Sequence, residues 1–270
     1  MPSALPNKLF LWRDSFLYLG DSFDPAMHQH HAVQCCIALK GNLRIRWQGM
    51  DDWQECKGAI VGASVPHSIM NPDGPLALLY LEKTSNSYQS ILDYHCVTMG
   101  GETRAEPLLL NELMPASICQ ELLAAMSSEV DTNQANTLKR VCLKLFNGQL
   151  STPKDLDHRI SALLKNLHDE PERLFSGEEL ANIACLSQSR MQHLFKQEVG
   201  IPIRRYVLWA RLRNVLQQVL DGASLATAAH ACGFSDASHF TRTFKAMFGI
   251  VPSAVLTGDT GVVPLFCEEY

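Results

Sequence analysis

The chain of 270 residues is 46% hydrophobic and 19% charged, a composition typical of a globular protein of about two domains. Its formal net charge of −5 excludes a uniformly basic nucleic-acid-binding protein, and its longest apolar run, at 76–81, is far shorter than the roughly 20 residues of a membrane span. The N-terminus has no signal-peptide pattern, so we expect a cytoplasmic protein without a membrane partner. The nine cysteines are odd in number and lack C-x-x-C spacing, which favours reduced thiols over disulfides or a zinc site.

The first part of the chain predicts an antiparallel sandwich or barrel. Short runs of alternating apolar and polar residues follow one another from about 9 to 82, separated by turn signals such as "KGN" and "NPDG". From about 110 the apolar period becomes helical, which predicts helices at about 113–130 and 134–147. The segment "STPKD" at 151–155 is the best candidate for a linker.

Two segments beyond the linker have the pattern of a helix, a tight turn and a second helix. In the first segment, Ser176 and Glu179 have the spacing of a capping box, and Ser187 is the predicted N-cap of the second helix. Its buried stripe is predicted to consist of Met191, Leu194, Phe195 and Val199.

The second segment, 224–248, repeats this design. Ser224 and Ser235 are the predicted N-caps of its two helices, and Gly233 supplies a turn residue with positive φ. The apolar stripe of its last helix is Phe240, Phe244, Met247 and Phe248, and the opposite face carries polar and basic residues.

A long amphipathic helix is predicted between these two segments, over 203–222. Its apolar side is formed by Tyr206, Leu208, Trp209, Leu212, Leu216 and Leu220. About 18 helical residues span roughly 27 Å, which is on the scale of the ~34 Å turn of B-DNA. Residues 186–250 carry eight basic and three acidic side chains, whereas 1–153 carry 11 and 15. The pattern favours two helices that enter successive major grooves over a bundle with solvated outer faces.

Residues 158–256 resemble the DNA-binding domain of AraC/XylS-type bacterial transcription regulators. The segment "AAHACGFSDASHFTRTFKAMFGIVPSAV" at 228–255 follows the signature of that family almost position for position. The resemblance implies two helix-turn-helix subdomains bridged by a long helix, and a sequence-specific DNA-binding regulator that is not an enzyme.

The same resemblance implies which residues contact double-stranded DNA. It places the first recognition helix at about 188–199. The predicted base contacts are Ser189, Gln192, His193, Ser238, His239 and Arg242. The predicted backbone contacts are Arg190, Lys196, Thr241 and Lys245. Arg242 is the strongest candidate for a specific contact, since arginine pairs bidentately with guanine.

Residues 10–85 resemble a cupin domain. The motif positions are matched by His28, His30, Gln34, Gly41, His67 and Asn71. This resemblance implies a pocket for a small effector near His28, His30, Gln34 and His67. The same four residues are the ligand set if a divalent metal binds. Because neutral Gln34 replaces the usual glutamate, we expect no metal and no cofactor, and the alternative role of the histidines is hydrogen bonding across a pocket mouth.

These patterns together predict an α+β chain: an N-terminal cupin-like antiparallel β-barrel with following helices, then an all-α domain of two helix-turn-helix subdomains joined by a long helix. The predicted ranges are a sensor at 1–110, a helical pair at 111–150, a linker at 151–157, a DNA-binding domain at 158–256 and a C-terminal tail at 257–270. In the family, such a helical pair often forms a homodimer interface, and packing on the barrel is the alternative. The apolar stripe concerned is Leu138, Val141, Cys142 and Leu145.

The function is predicted to be transcription regulation, with a small-molecule effector and, for an activator, RNA polymerase as further partners. Two other functions are alternatives. A metal-dependent cupin enzyme, such as a dioxygenase or isomerase, would favour glutamate among its ligands. An architectural DNA-binding protein would show little preference for one site over random DNA.

Overall fold

The computed structural model describes residues 6–12, 14–22, 26–30, 32–63, 65–81, 87–88, 90–91, 106–111, 115–146, 156–170, 173–199, 201–248, 251–253 and 263–267. The chain divides into two compact units, Met1–Ser151 with Phe244–Glu269, and Thr152–Thr243 with Tyr270. The first boundary falls at the start of the predicted linker, whose residues 151–155 lie outside the described ranges. The second boundary falls inside a helix that the sequence assigned wholly to the DNA-binding domain.

The first unit is built on two sheets, as the alternation of apolar residues predicted. Its described strands are β1 Lys8–Leu11, β2 Ser15–Gly20, β3 Val33–Ala38, β4 Leu43–Trp47, β5 Gln54–Cys56, β6 Gly58–Val61, β7 His67–Met70, β8 Leu76–Leu81, β9 Leu108–Leu110 and β10 Val263–Phe266. The larger sheet has the order β10-β1-β2-β8-β3-β6-β9 and the smaller one β5-β4-β7. The pairings are antiparallel apart from β1 with β10, and no ladder among the described residues closes the two sheets into one ring.

The C-terminal segment is more than the tail that the sequence predicted. Val263–Phe266 forms β10 and runs parallel to β1, with Lys8 opposite Val263 and Leu11 opposite Phe266. The backbone N–H of Cys267 also donates to the carbonyl of Leu11. Residues 263–267 therefore pair with β1 at the edge of the N-terminal sheet, a pairing that local sequence patterns do not reveal.

Both faces of the larger sheet are covered, which explains why β2, β3 and β8 are buried along their whole length. One face carries Leu17, Cys35 and Leu79, which pack with residues of two helices, α1 (Ala116–Ser127) and α2 (Thr132–Leu145). The residues that alternate with them in the three strands point to the opposite side. Burial on both sides makes the central strands continuous apolar segments such as "LALLYL".

The helical pair packs against its own sheet. Leu138 and Cys142 are buried in the core of the first unit, and Leu145 packs against that core. For these three residues, the alternative that the stripe packs on its own N-terminal unit is therefore correct. The α2 helix is also held by polar contacts, because Trp12 Nε1 donates to Asn136 Oδ1 at 2.6 Å and the buried Lys139 Nζ lies 3.2 Å from Asp14 Oδ1.

The second unit is helical, as predicted. Its helices are α3 His158–Asp169, α4 Gly177–Ile183, α5 Gln188–Val199, α6 Ile203–Leu220, α7 Leu225–Ala231 and α8 Ala237–Phe248, whose last residues belong to the first unit. At its start, α6 contributes Ile203 and Tyr206 to the core formed with α3, α4 and α5. Farther along, α6 contacts α7. Of the predicted stripe of α6, Tyr206, Trp209, Leu212 and Leu216 are buried and Leu208 is half-buried, whereas Leu220, at the end of the helix, is exposed. No described helix has the length and apolarity needed to cross a membrane.

Candidate nucleic-acid interface and effector site

The first helix-turn-helix, α4 and α5, begins with the predicted capping box. Ser176 Oγ accepts from the Glu179 backbone N–H at 3.2 Å, and Glu179 Oε2 accepts from the Ser176 backbone N–H at 2.7 Å. Accepting from the Ser176 N–H stabilises the carboxylate and lowers the pKa of Glu179 to about 2. The predicted N-cap of α5 is confirmed as well, since Ser187 Oγ accepts from the Arg190 N–H at 3.4 Å. The entry and the turn of this unit are therefore determined by hydrogen bonds within a few residues.

The second helix-turn-helix, α7 and α8, confirms two predictions and corrects a third. Ser224 Oγ accepts from the Thr227 N–H at 3.1 Å, and Gly233 has a φ of +81°. The predicted cap Ser235 is wrong, because Asp236 Oδ1 accepts from the His239 N–H at 2.6 Å. Both residues are suitable N-caps, but the carboxylate of Asp236 interacts more favourably with the free N–H groups and the dipole at the start of the helix. The cap therefore lies one residue later than predicted. The His239 N–H accordingly lowers the pKa of Asp236.

The inner sides of α5 and α8 are buried. Met191 and Phe195 are buried in α5, and Phe240, Phe244 and Met247 in α8. The predicted stripes are confirmed for these residues; Val199 is only partly buried, and the Phe248 side chain lies outside the described part. The two helices have 12 residues each, and each starts directly after its N-cap.

Most predicted DNA contacts lie on the opposite, exposed sides. The exposed set is Ser189, Arg190, His193, Lys196, Ser238, His239, Arg242 and Lys245, while Gln192 and Thr241 are half-buried. Counting from the N-caps Ser187 and Asp236 pairs corresponding positions of the two helices. Equivalent pairs are Ser189 with Ser238, His193 with Arg242, and Lys196 with Lys245. The two helices thus carry the same kind of polar and cationic row.

Two of the predicted contacts already have partners inside the protein. His239 Nδ1 lies 3.4 Å from the Ser235 backbone nitrogen, which donates to it, and its ring packs edge-on against Phe234 at 5.4 Å. Thr241 Oγ1 donates to the carbonyl of Ala237 at 2.8 Å. Side-chain bonds of this kind compete with bonds to DNA, so Ser238, Arg242 and Lys245 are the more available groups on α8.

The residues predicted to form an effector or metal site come together between β3, β7 and β8. Gln34 and His67 are fully buried, His30 is nearly so and His28 is partly exposed. His28 forms a backbone bridge with His67, and their rings lie 4.5 Å apart. The Nδ1 atoms of His28, His30 and His67 contact the carbonyls of Ala26, Ala32 and Val65 at 2.9, 2.8 and 2.8 Å. Backbone carbonyls thus orient all three imidazoles.

Gln34 links this cluster to Tyr80, a residue that the sequence pattern did not indicate. The atom assigned as Gln34 Oε1 lies 3.0 Å from His30 Nε2 and 2.8 Å from His67 Nε2, while the other end of the amide lies 3.0 Å from Tyr80 Oη. Neutral imidazoles that donate from Nδ1 have a lone pair on Nε2. Only the opposite amide orientation satisfies every group, because the Gln34 NH₂ then donates to both rings and its oxygen accepts from Tyr80.

The buried centre of the cluster favours uncharged side chains at His67 and Tyr80. Burial, together with the neighbouring His30 and His28, lowers the pKa of His67 to about 3. Burial also raises the pKa of Tyr80 well above its ordinary value, so its phenol keeps its proton. His67 and Tyr80 are therefore both uncharged near pH 7.

The donor set of this cluster fits a divalent transition metal. One ring nitrogen from each of His28, His30 and His67 lies within 4.8 Å of the others, and the amide oxygen of Gln34 can serve as a fourth ligand. Backbone carbonyls on Nδ1 leave Nε2 as the metal-binding atom, as in many histidine sites. The expected absence of metal stays a prediction, because Gln34 can either donate to the rings or turn its oxygen toward an ion.

Comparison with known proteins identifies the helix-turn-helix segment. A family model described as a helix-turn-helix domain matches residues 180–258. LumQ of Photobacterium leiognathi, a probable transcriptional regulator, is 25% identical over 242 residues, covering 84% of this chain and 90% of LumQ. The arabinose operon regulatory protein of Escherichia coli (strain K12) is 29% identical over 142 residues, covering 50% of this chain and 44% of that protein.

A solved structure of ToxT from Vibrio cholerae O395 is similar over most of the chain. It has a TM-score of 0.47 and 13% identity, and the match covers 90% of this chain and 98% of ToxT. Residues 180–258 therefore form a helix-turn-helix domain of the matched family, and the sequence relatives of the chain are regulators of transcription.

Proposed function

We propose that the chain regulates transcription by inserting α5 and α8 into two successive major grooves of one DNA duplex. The observation that carries this proposal is the matched row of exposed groups on the two helices. Each helix carries a serine, then a nitrogen donor (histidine in α5, arginine in α8) and then a lysine at equivalent positions. The opposite side of each helix is buried. Arginine and histidine can donate to guanine acceptors, and lysine neutralises phosphate.

The length of α6 supports the use of two grooves. This helix has 18 residues, begins in the core that supports α5 and contacts α7, the partner helix of α8. Its length of about 27 Å approaches one turn of B-DNA. A continuous helix also resists changes in spacing, so one chain would require its two half-sites at a fixed distance.

The spacing of half-sites tests this proposal. Duplexes bound by the full chain are selected from a random pool, and 5 or 10 base pairs are then inserted between the two protected half-sites. Both insertions should reduce specific affinity at least about tenfold at fixed salt, because α6 cannot lengthen. The control duplex keeps the spacing and changes only the intervening sequence. Unchanged affinity after the 10-base-pair insertion would show that the half-sites are bound by separate chains, and no preference over random DNA would indicate an architectural protein.

We further propose that a small effector binds in the cupin-like unit beside the cluster of His28, His30, Gln34 and His67. Its hydrogen-bonded imidazoles and the amide that can reverse its orientation support this role. If a metal binds there, these four side chains hold it, and it would supply a Lewis-acidic centre for a ligand. The proposal assigns no catalytic step to the chain. It includes a second copy of the chain as a homodimer partner and, if the chain is an activator, RNA polymerase as a further partner. Sedimentation of the full chain with and without operator DNA tests the homodimer.

A further inference from the structure

The second unit contains a cavity between the first helix-turn-helix and the long helix. Its volume is about 390 Å³, which lies in the range of small-molecule sites. Six apolar side chains form most of its wall: Phe175, Leu180, Met191, Ile203, Val207 and Leu208. The remaining lining residues are Gly177, Gln188, Gln192, Arg204 and Arg211. The cavity therefore combines an apolar wall with cationic and amide groups, and no acidic residue lines it.

Arg211 is one of the two cationic side chains that line this cavity. Within the described part of the chain, its Nε atom is buried and has no hydrogen-bond partner. Neither Arg211 nor the exposed Arg204 forms an ion pair with a described residue. The guanidinium of Arg211 lines the cavity without an anionic partner among the described residues, and an anion bound in the cavity would supply one. A carboxylate matches the fork geometry of a guanidinium particularly well.

We propose that this cavity binds a small organic carboxylate with an apolar body, such as an aromatic or medium-chain acid. The carboxylate would accept from Arg211, and the body would cover the apolar wall. A DNA phosphate shares the negative charge but has no apolar part to fill the cavity. Met191 and Gln192 come from the recognition helix α5, so the occupant would contact the inner side of a helix proposed to bind DNA. This cavity belongs to the second unit, whereas the histidine cluster belongs to the first.

Binding of 1-naphthoate to the full chain tests the proposal. Calorimetry should give saturable binding of one molecule per chain at this site, and the neutral analogue 1-naphthylmethanol should bind at least about tenfold more weakly because it has no charge for Arg211. The variant Arg211→Met should weaken naphthoate binding at least about tenfold. Val207→Trp, which fills the cavity and keeps both arginines, should abolish it. Arg190→Met is the matched control, since Arg190 is exposed on α5 and does not line the cavity.

Thermal melts establish that each variant is folded before its affinity is compared. The proposal is overturned if naphthoate does not bind saturably, or if Arg211→Met and Val207→Trp both bind it as the unsubstituted chain does. Equal affinity for the acid and the alcohol would also overturn it, since the arginine would then have no role. If Arg211→Met does not fold, Val207→Trp and the neutral analogue decide the outcome. The half-site spacing experiment is independent of this one. A negative result for naphthoate binding therefore does not contradict the proposed DNA binding, and a negative result for DNA binding does not contradict this proposal.

Discussion

Cys185 and Gly233 occupy the same backbone position in the two helix-turn-helix units. Their φ angles are +51° and +81°. In each unit this residue's N–H donates to the carbonyl three residues earlier, and the next N–H donates to the carbonyl five residues before it. Both turns thus end the first helix with a left-handed residue, although only the second has the glycine that this conformation favours. The first unit makes the same turn with a strained cysteine.

Glycine at this position should stabilise the first turn. A left-handed backbone conformation is unfavourable by about 1–2 kcal/mol for a residue with a side chain, and glycine avoids this strain. The greater freedom of glycine in the unfolded chain offsets about 0.5–1 kcal/mol of that gain. Cys185→Gly should therefore raise the free energy of unfolding by about 0.5–1 kcal/mol, as measured by urea denaturation. Cys185→Ala is the control, since it removes the thiol and keeps the strain. Equal gains from both substitutions would show that the thiol, and not the backbone, is responsible.

The reverse substitution should destabilise the second turn. Gly233→Ala places a Cβ at positive φ, about 2.7 Å from Leu174 Cδ2. Because Leu174 is 51% exposed and can move away, backbone strain of about 1–2 kcal/mol is the main cost, and the smaller freedom of the unfolded alanine chain offsets about 0.5–1 kcal/mol of it. The melting temperature of the full chain measures this loss. An unchanged melting temperature would contradict the left-handed turn.

Arg242 and Lys245 should affect DNA binding in different ways. Arg242→Ala should weaken specific binding by about 1–3 kcal/mol and relax the preference at one base pair, because it is predicted to contact a base edge. Lys245→Ala should weaken binding to all sequences alike and reduce the salt dependence, because it is predicted to contact phosphate. Titrations of selected and scrambled duplexes at several salt concentrations separate the two effects. A uniform loss for Arg242→Ala would assign that side chain to the DNA backbone.

Acidification should destabilise the cupin-like unit through His67. Its pKa is about 3 in the folded protein, against about 6.5 for an unperturbed histidine, so the unfolded chain binds the additional proton between these values. The free energy of unfolding should consequently fall by about 2 kcal/mol between pH 6.5 and 5. Urea titrations in the presence of a chelator measure this fall. It should shrink in His67→Gln and persist in His193→Gln, which replaces an exposed histidine; equal falls in both variants would refute the assignment.

Gln34 should determine how strongly the histidine cluster binds metal. In Gln34→Glu, a carboxylate replaces the amide that satisfies the two imidazoles, so affinity for Zn²⁺ or Ni²⁺ should rise at least about tenfold. Gln34→Ala is the matched control, since it also removes the amide but adds no ligand. Calorimetric titration of the three proteins compares the affinities. Equal metal affinity of Gln34→Glu and Gln34→Ala would show that position 34 does not face the ion.

The sequence predicted the helical unit closely because its determinants are local. Capping pairs such as Ser176 with Glu179 lie three residues apart, and the buried stripe of α5 follows the helical period. The error at Ser235 was also local, since a serine and an aspartate adjoin at that turn and both are good N-caps. The resemblance of residues 10–85 to a cupin predicted that His28, His30, Gln34 and His67 form one cluster, and the structure brings these residues together.

Features that depend on distant segments were not predictable from such patterns. β10 pairs with β1 across nearly the whole chain, and the buried Lys139 lies beside Asp14, 125 residues away. The partner Tyr80 and the unsatisfied Nε of Arg211 likewise depend on how strands and helices pack. The sequence by itself determined the helices, turns and exposed rows, because hydrogen bonds and side-chain periodicity act over a few residues. Only the tertiary structure decided the sheet edge, the partners of the Gln34 amide and the cavity at Arg211, because those depend on contacts between segments far apart in the chain.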